Sequence, residues 1–260
     1  MRPPLGAQRH NRATPSSPRY VPIVVRRFVI AALVIFSCAA SAQQMSGVVT
    51  DGVTVAAPDP DGGIQAINMS DGKVTWQSKT ASWPIGFGGG KIVALTDPGK
   101  NNGLQVAFFD PDTGRNTAMV GPVQLVSWAK PKYGFEHNSD FNVWIASKWG
   151  DGMVLYWRAE RWSPITLGNY KQPQTKQMAG GRILIGFARN SVEAHQIPPP
   201  SEPAAPRDPE KGLPLLKGQK AISTMVVGGR TLALIKTRSD LSVACFQDQL
   251  LLWSKVVATK

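Results

Sequence analysis

The chain has 260 residues, with 29 lysines and arginines against 17 acidic residues and a formal charge of +12. At 42% apolar and 18% charged it can bury a core, which excludes an intrinsically disordered chain. Two cysteines and three histidines exclude a disulfide-stapled fold and leave few ligands for a metal.

The first 42 residues read as a secretory signal peptide. They carry six arginines and no acid, and Arg26-Arg27 precede an apolar run, Phe28 to Ser37, that is too short to span a bilayer. Ala40-Ser41-Ala42 supplies the small-residue site, so cleavage is expected between Ala42 and Gln43. The product is then exported, periplasmic or envelope-associated. Removing the six arginines leaves 23 cationic and 17 acidic side chains, a charge of +6 scattered along the chain. No nucleic-acid partner is expected of it. Cys38 leaves with the leader and strands Cys245 alone, unless "IFSC" is a lipobox and Cys38 becomes a lipidated N-terminus, the one route to membrane attachment. Two further alternatives stay open. The arginine pair suggests twin-arginine export, although Phe28 follows it at once, and the proline-containing stretch 1–24 suggests a true start at Val24 or Val25.

From residue 43 onward the apolar signal is that of strands. "GVTVAA", "GIQAIN", "KIVAL", "LQVAFF", "VWIAS", "MVLYW", "RILIGF", "TLALI" and "LSVAC" are short, rich in β-branched and aromatic residues, and separated by Gly, Asp, Asn or Pro. No amphipathic helix of ten residues interrupts them, so residues 43–260 are expected to form a single all-β domain. A phrase recurs within it. "INMSDGKVTW" (Ile67 to Trp76) is matched 42 positions later by "FFDPDTGR", and Leu241, Asp248 and Trp253 repeat the spacing of Ile64, Asp71 and Trp76. Periods of 40 to 45 residues point to radial repetition of four-stranded sheets, in which neighbours cover faces that no sheet could bury alone. Taking Gly52, Gly90, Asn142, Gly181 and Gly229 as openers of the second strand of each unit, the expected architecture is a β-propeller of about five blades. Asp71-Gly72 and Thr113-Gly114 form the turn before each outermost strand, and Trp76 and Trp253 fill the wedge between blades.

"IQAINMSDGKVTW" resembles the repeat of quinoprotein-like β-propellers, those related to pyrroloquinoline-quinone dehydrogenases. There an apolar strand ends in Asp or Asn, followed by a Thr-Gly or Asp-Gly-Lys turn and a tryptophan. The resemblance is good in the first unit and partial in the second, where Ala118 stands for the tryptophan. It is weaker in the last, where Gln249 stands for the glycine. It implies a propeller scaffold of the kind that assists envelope assembly. It does not imply the dehydrogenase chemistry, because the chain has neither the adjacent cysteines nor the size for that cofactor cage.

Residues 197–214, "IPPPSEPAAPRDPEKGLP", hold seven of the 21 prolines and read as an extended insertion leaving the fourth unit, either tolerated or a docking site for a partner. Catalytic patterns are not compelling. His137 and His195 lack partners at zinc-ligand spacing, and the Asp59-Asp61 and Asp110-Asp112 turns lack the bidentate glutamate of a calcium loop. Gly86 to Lys91 precedes a strand, which disqualifies it as a phosphate loop. No metal or cofactor is expected. Glu136, Glu160, Glu193, Asp140 and Asp151 are the available carboxylates, and their spacing selects no pair. Five of eight tryptophans fall within residues 128–162, and of this aromatic cluster Trp149, Trp162 and Tyr133 are the candidate partner-binding residues. The function expected is a non-catalytic binding scaffold for a protein or envelope partner. A propeller-class glycosidase or lyase with carboxylates near Glu136 or Asp151 remains the alternative, as does a subunit of a larger complex whose missing blades come from another chain.

Overall fold

The structure is a computed structural model and describes residues 47–96, 103–133, 140–163, 166–167, 170–171, 175–201 and 210–259. The expected leader, its cleavage site at Ala42 and Gln43, and Cys38 lie outside the described residues. No described helix is long and apolar enough to cross a membrane.

The described chain is all-β, as the strand pattern requires, and is built from four four-stranded antiparallel sheets. The first holds β1 (Val49–Thr50), β2 (Thr54–Pro58), β3 (Ile64–Asn68) and β4 (Val74–Ser78). The second holds β5 (Trp83–Gly88), β6 (Lys91–Leu95), β7 (Gly103–Phe109) and β8 (Asn116–Gln124). In the third, β9 (Phe141–Trp149) and β10 (Gly152–Ser163) are followed by a small hairpin, β11 (Thr166–Leu167) with β12 (Tyr170–Lys171). The chain then returns through β13 (Thr175–Gly186) and β14 (Ser191–Gln196). The fourth holds β15 (Lys220–Val227), β16 (Arg230–Lys236), β17 (Asp240–Gln247) and β18 (Leu250–Thr259).

Strand alternation turns each sheet into a two-faced plate. On β2, Val55 and Ala57 pack with Leu232, Leu234, Val243 and Cys245 of the fourth sheet, whereas Ala56 packs with Ile92, Ala94 and Phe109 of the second. On β6 the other parity, Val93 and Leu95, meets Met153, Leu155 and Trp157 of the third sheet. The apolar layers therefore run fourth to first, first to second and second to third sheet. This is a four-bladed propeller arrangement in which Val48 and Val257 share one cluster.

Four blades, not five, is a correction, and the register gives the reason. Gly52, Gly90 and Gly229 do lie in turns between first and second strands. Asn142, however, is inside β9 opposite Arg158, and Gly181 is inside β13 between Trp157 and Gln196. The strands assigned to units three and four are one sheet, because β10 and β13 pair over twelve consecutive positions. Gly181 is needed there for space, since a Cβ would lie 2.2 Å from the Trp157 indole nitrogen.

Between the third and fourth sheets no shared apolar cluster occurs among the described residues. The proline-rich segment contributes to both sides instead, and it leaves the third sheet rather than a fourth unit. Pro199 and Pro200 lie over Gly180 of β13, and Pro200 accepts a long hydrogen bond, 3.5 Å, from Arg158. Leu213 and Leu215 pack on Ala233, Ile235, Ala244 and Phe246, the face of the fourth sheet turned away from the first. Residues 202–209 lie outside the described residues.

Candidate partner-binding surface

The repeated phrase is a docking device between blades. In the first sheet the Asn68 N–H donates to the Lys73 carbonyl at 2.8 Å and the Gly72 N–H to the Asn68 carbonyl at 2.9 Å. The same two bonds recur 42 residues on, Asp110 to Arg115 at 3.0 Å and Gly114 to Asp110 at 2.9 Å. Gly72 and Gly114 adopt φ of 72° and 70°, which glycine enters at no steric cost. Each turn receives a tryptophan from the preceding blade. Trp253 lies against Gly72 and donates its indole N–H to the Met69 carbonyl at 3.0 Å, and Trp76 lies against Gly114 and donates to the Pro111 carbonyl at 2.7 Å. A Cβ on either glycine would come within 2.5 Å of the ring. Asp71 and Asp110 accept backbone N–H bonds, from Lys73 and from Thr113 and Asp112, and those bonds hold both carboxyls below the usual range. These signature residues join one blade to the next. The turn of the fourth sheet keeps only the backbone habit, with Asp248 and Gln249 at φ of 49° and 67°.

The second blade meets the third by other means. The Lys91 ammonium donates to the Phe187 carbonyl and to Asn190 Oδ1, and lies 5.8 Å from the centre of the Phe108 ring. Phe187 itself presses on Gly88 and Gly89.

The three candidate aromatics do not converge. Trp149 ends β9 opposite Gly152 and is 47% exposed, whereas Trp162 lies ten residues further along β10, roughly 33 Å away at strand rise, and is 55% exposed. Tyr133 is half-buried and stacks on Trp83 with ring centres 6.4 Å apart, packed against the layer between the second and third sheets. Of the three, Trp162 lies exposed beside a half-buried charge cluster. On its face of β10 and β13 lie Arg158 and Glu160, with Lys176 opposite Trp162 and Met178, 43% exposed, opposite Glu160. The Lys176 ammonium pairs with Glu160 and lies 5.8 Å from the Trp162 ring centre, while Arg158 pairs with Glu160 from the other side. Further along this face Trp144 and Tyr156 meet edge-on, both half-buried.

Among the described residues the carboxylates fit no hydrolytic pair. Glu160 and Glu193 are separated by about six positions along β13, roughly 20 Å, beyond the span that glycoside hydrolysis uses. Asp140 does stand opposite Glu160, whose N–H donates to its carbonyl at 3.0 Å. Lys176 and then Arg158 hold the Glu160 carboxyl below its ordinary value against the opposing effect of burial, which denies it the proton a general acid must carry. Glu193 is exposed and faces His195 at 3.2 Å, and Asp151 lies at the β9–β10 turn. Glu136 and His137 lie outside the described residues. In the Asp59 turn, the Lys79 ammonium donates to the carbonyls of Asp61 and Gly62 at 3.0 and 2.6 Å and stands 3.6 Å from the Asp59 carboxylate, so a cation of the chain itself fills that oxygen cradle. No group of three or more potential metal ligands occurs among the described residues. Cys245 is buried between sheets, and burial pushes its thiol up, away from the reactive thiolate.

Sequence reasoning named Trp162 as a candidate but not Arg158, Lys176 and Met178, which the pairing places beside it. The signal available was the parity of β10, where Met153, Leu155, Trp157 and Ala159 turn inward and the alternate residues are left to the surface.

No family model and no curated protein matches the chain. Among solved structures it is similar to the crystal structure of BamB from Moraxella catarrhalis, at 11% sequence identity and a TM-score of 0.32. The match covers 80% of this chain and 63% of that one, so the chain spans under two thirds of its length. A likeness at that level carries no functional argument.

Proposed function

We propose that the protein is an exported, non-catalytic propeller scaffold that binds a protein partner of the envelope through the face of its third sheet that carries Arg158, Glu160 and Trp162. The observation that carries this reading is the surface around Trp162. An indole and a methionine, both substantially exposed, flank a cluster of two cations and one carboxylate on a pair of twelve-residue strands whose other face is anchored in the core. Exposed aromatics rimmed by charge make economical anchors for another protein, because a rigid ring loses little entropy on binding. The Glu160 cluster contributes orientation, not chemistry.

The test is crosslinking and pull-down from the native envelope with the wild-type protein and Trp162→Ala. The expected result is a partner retained by the wild type and lost by the variant, with the melting temperature unchanged. A variant that keeps the partner, or loses it only by unfolding, defeats the reading.

A second reading has its own observation. The third and fourth sheets share no apolar layer among the described residues, so the chain is also suited to be one part of a larger assembly that completes the seam. Light scattering on the native protein separates the two: a monomer supports the closed scaffold, and a stable higher assembly supports the subunit.

A further inference from the structure

We propose that the corner of the fourth sheet where Lys217, Lys220, Lys236 and Arg238 gather is a docking surface for an anionic phospholipid bilayer. The four cations come from two stretches of sequence, 217–220 and 236–238, which the register brings side by side. Lys220 opens β15 directly opposite Lys236, which closes β16, and Arg238 follows in the β16–β17 turn. Lys217 is brought to the same corner by a turn in which the Gln219 N–H donates to the Leu216 carbonyl at 3.0 Å and the Leu216 N–H to Gln219 Oε1 at 2.9 Å. Asp240 is the acid at the β16–β17 turn, and its carboxylate accepts from the Ser239 hydroxyl at 2.9 Å.

The corner also holds an apolar group. Leu213 and Leu215 tuck against the sheet, but Leu216, beside Lys217, is 72% exposed. Exposed leucine amid cations is the combination an interface selects. Ammonium and guanidinium groups reach headgroup phosphates while the aliphatic side chain enters the boundary below them. A dissolved phosphate or a nucleic acid would meet the same charges but gain nothing from the leucine. The face around Trp162 is on a different sheet, so this inference adds to the scaffold reading without depending on it.

The experiment is co-sedimentation of the purified protein with vesicles of phosphatidylcholine, with and without phosphatidylglycerol. The variants are Lys217→Gln/Lys220→Gln/Arg238→Gln, Leu216→Ser, and a control of equal charge change elsewhere, Lys73→Gln/Lys130→Gln/Arg189→Gln. Each is checked for an unchanged melting temperature. Each cation near an anionic surface contributes about five-fold. The corner triple variant is therefore expected to lose about a hundred-fold of its affinity for phosphatidylglycerol vesicles, Leu216→Ser a smaller part, and the control only a few-fold. Three outcomes overturn the inference: a wild type that does not sediment with phosphatidylglycerol, a control that loses as much as the corner variant, or binding that Leu216→Ser leaves intact and that inorganic phosphate or an oligonucleotide displaces. None of these touches the outcome for Trp162.

Discussion

Gly114 shows how much a single hydrogen atom in place of a methyl can decide. Its positive φ and the Trp76 ring pressed against it both forbid a side chain, so Gly114→Ala should cost about 2–4 kcal/mol, the sum of a backbone and an overpacking contribution. Gly62 offers the control. It also has positive φ, 88°, but nothing lies within 4 Å of its would-be Cβ, so Gly62→Ala should cost only about 1 kcal/mol. Urea unfolding of the two variants measures the difference, and equal losses would mean that the tryptophan contact is unimportant. A charge at this scale can be read by pH. Glu160 has its folded pKa below the ordinary 4.5 because Lys176, and then Arg158, favour the carboxylate. Its contribution to stability is therefore complete above that ordinary value and drains away as pH falls through the lower folded value. Glu160→Gln should be less stable than wild type at neutral pH and should lose less on acidification below about pH 5. Parallel acid limbs in the two proteins would exclude the ion pairs as a source of stability.

Among the elements, the proline-rich segment departs furthest from a passive insertion. Leu213 at its end and Leu215 just after it occupy the place that a neighbouring sheet occupies on the first and second blades. Replacing Leu213 and Leu215 together by serine should cost about 2–3 kcal/mol, since each is a half-buried side chain. Replacing residues 202–209 with glycine and serine at the same length should leave the melting temperature unchanged. Loss of stability in the second variant and not the first would reverse these roles. The blade phrase was legible in sequence because it is local: turn, glycine and tryptophan lie within ten residues. The number of blades was not. It depends on whether Gly181 opens the second strand of a unit or lies inside a long strand, and that is settled by Trp157, a partner 24 residues away in sequence. The site was half legible for the same reason. Trp162 shows itself by type, but Lys176 and Met178 become its neighbours only through the β10–β13 pairing, and Tyr133 leaves the surface only because Trp83, fifty residues earlier, stacks on it.

For the molecule as a whole, the order of contacts matters more than their number. The fourth blade is held to the first by Trp253, by Arg230, which donates to the Met69 carbonyl at 2.9 Å, and by Gln65, a buried amide that donates to the Pro58 and Val256 carbonyls. Among the described residues the blades are thus fastened across the place where the two ends of the described chain meet, at Val48 and Val257, whereas at the third and fourth sheets Pro199 and Pro200 lie on one sheet and Leu213 and Leu215 on the other. Covalent continuity and mechanical continuity fall in different places. A circular permutant should exploit this: tethering Thr259 to Gly47 through a short flexible linker and opening the chain between Ala204 and Ala205 should give a protein that refolds with the parent's far-ultraviolet spectrum and its tryptophan emission. If the permutant instead unravels, the polypeptide bond across 202–209, and not the tryptophan clasp, is what keeps the circle shut.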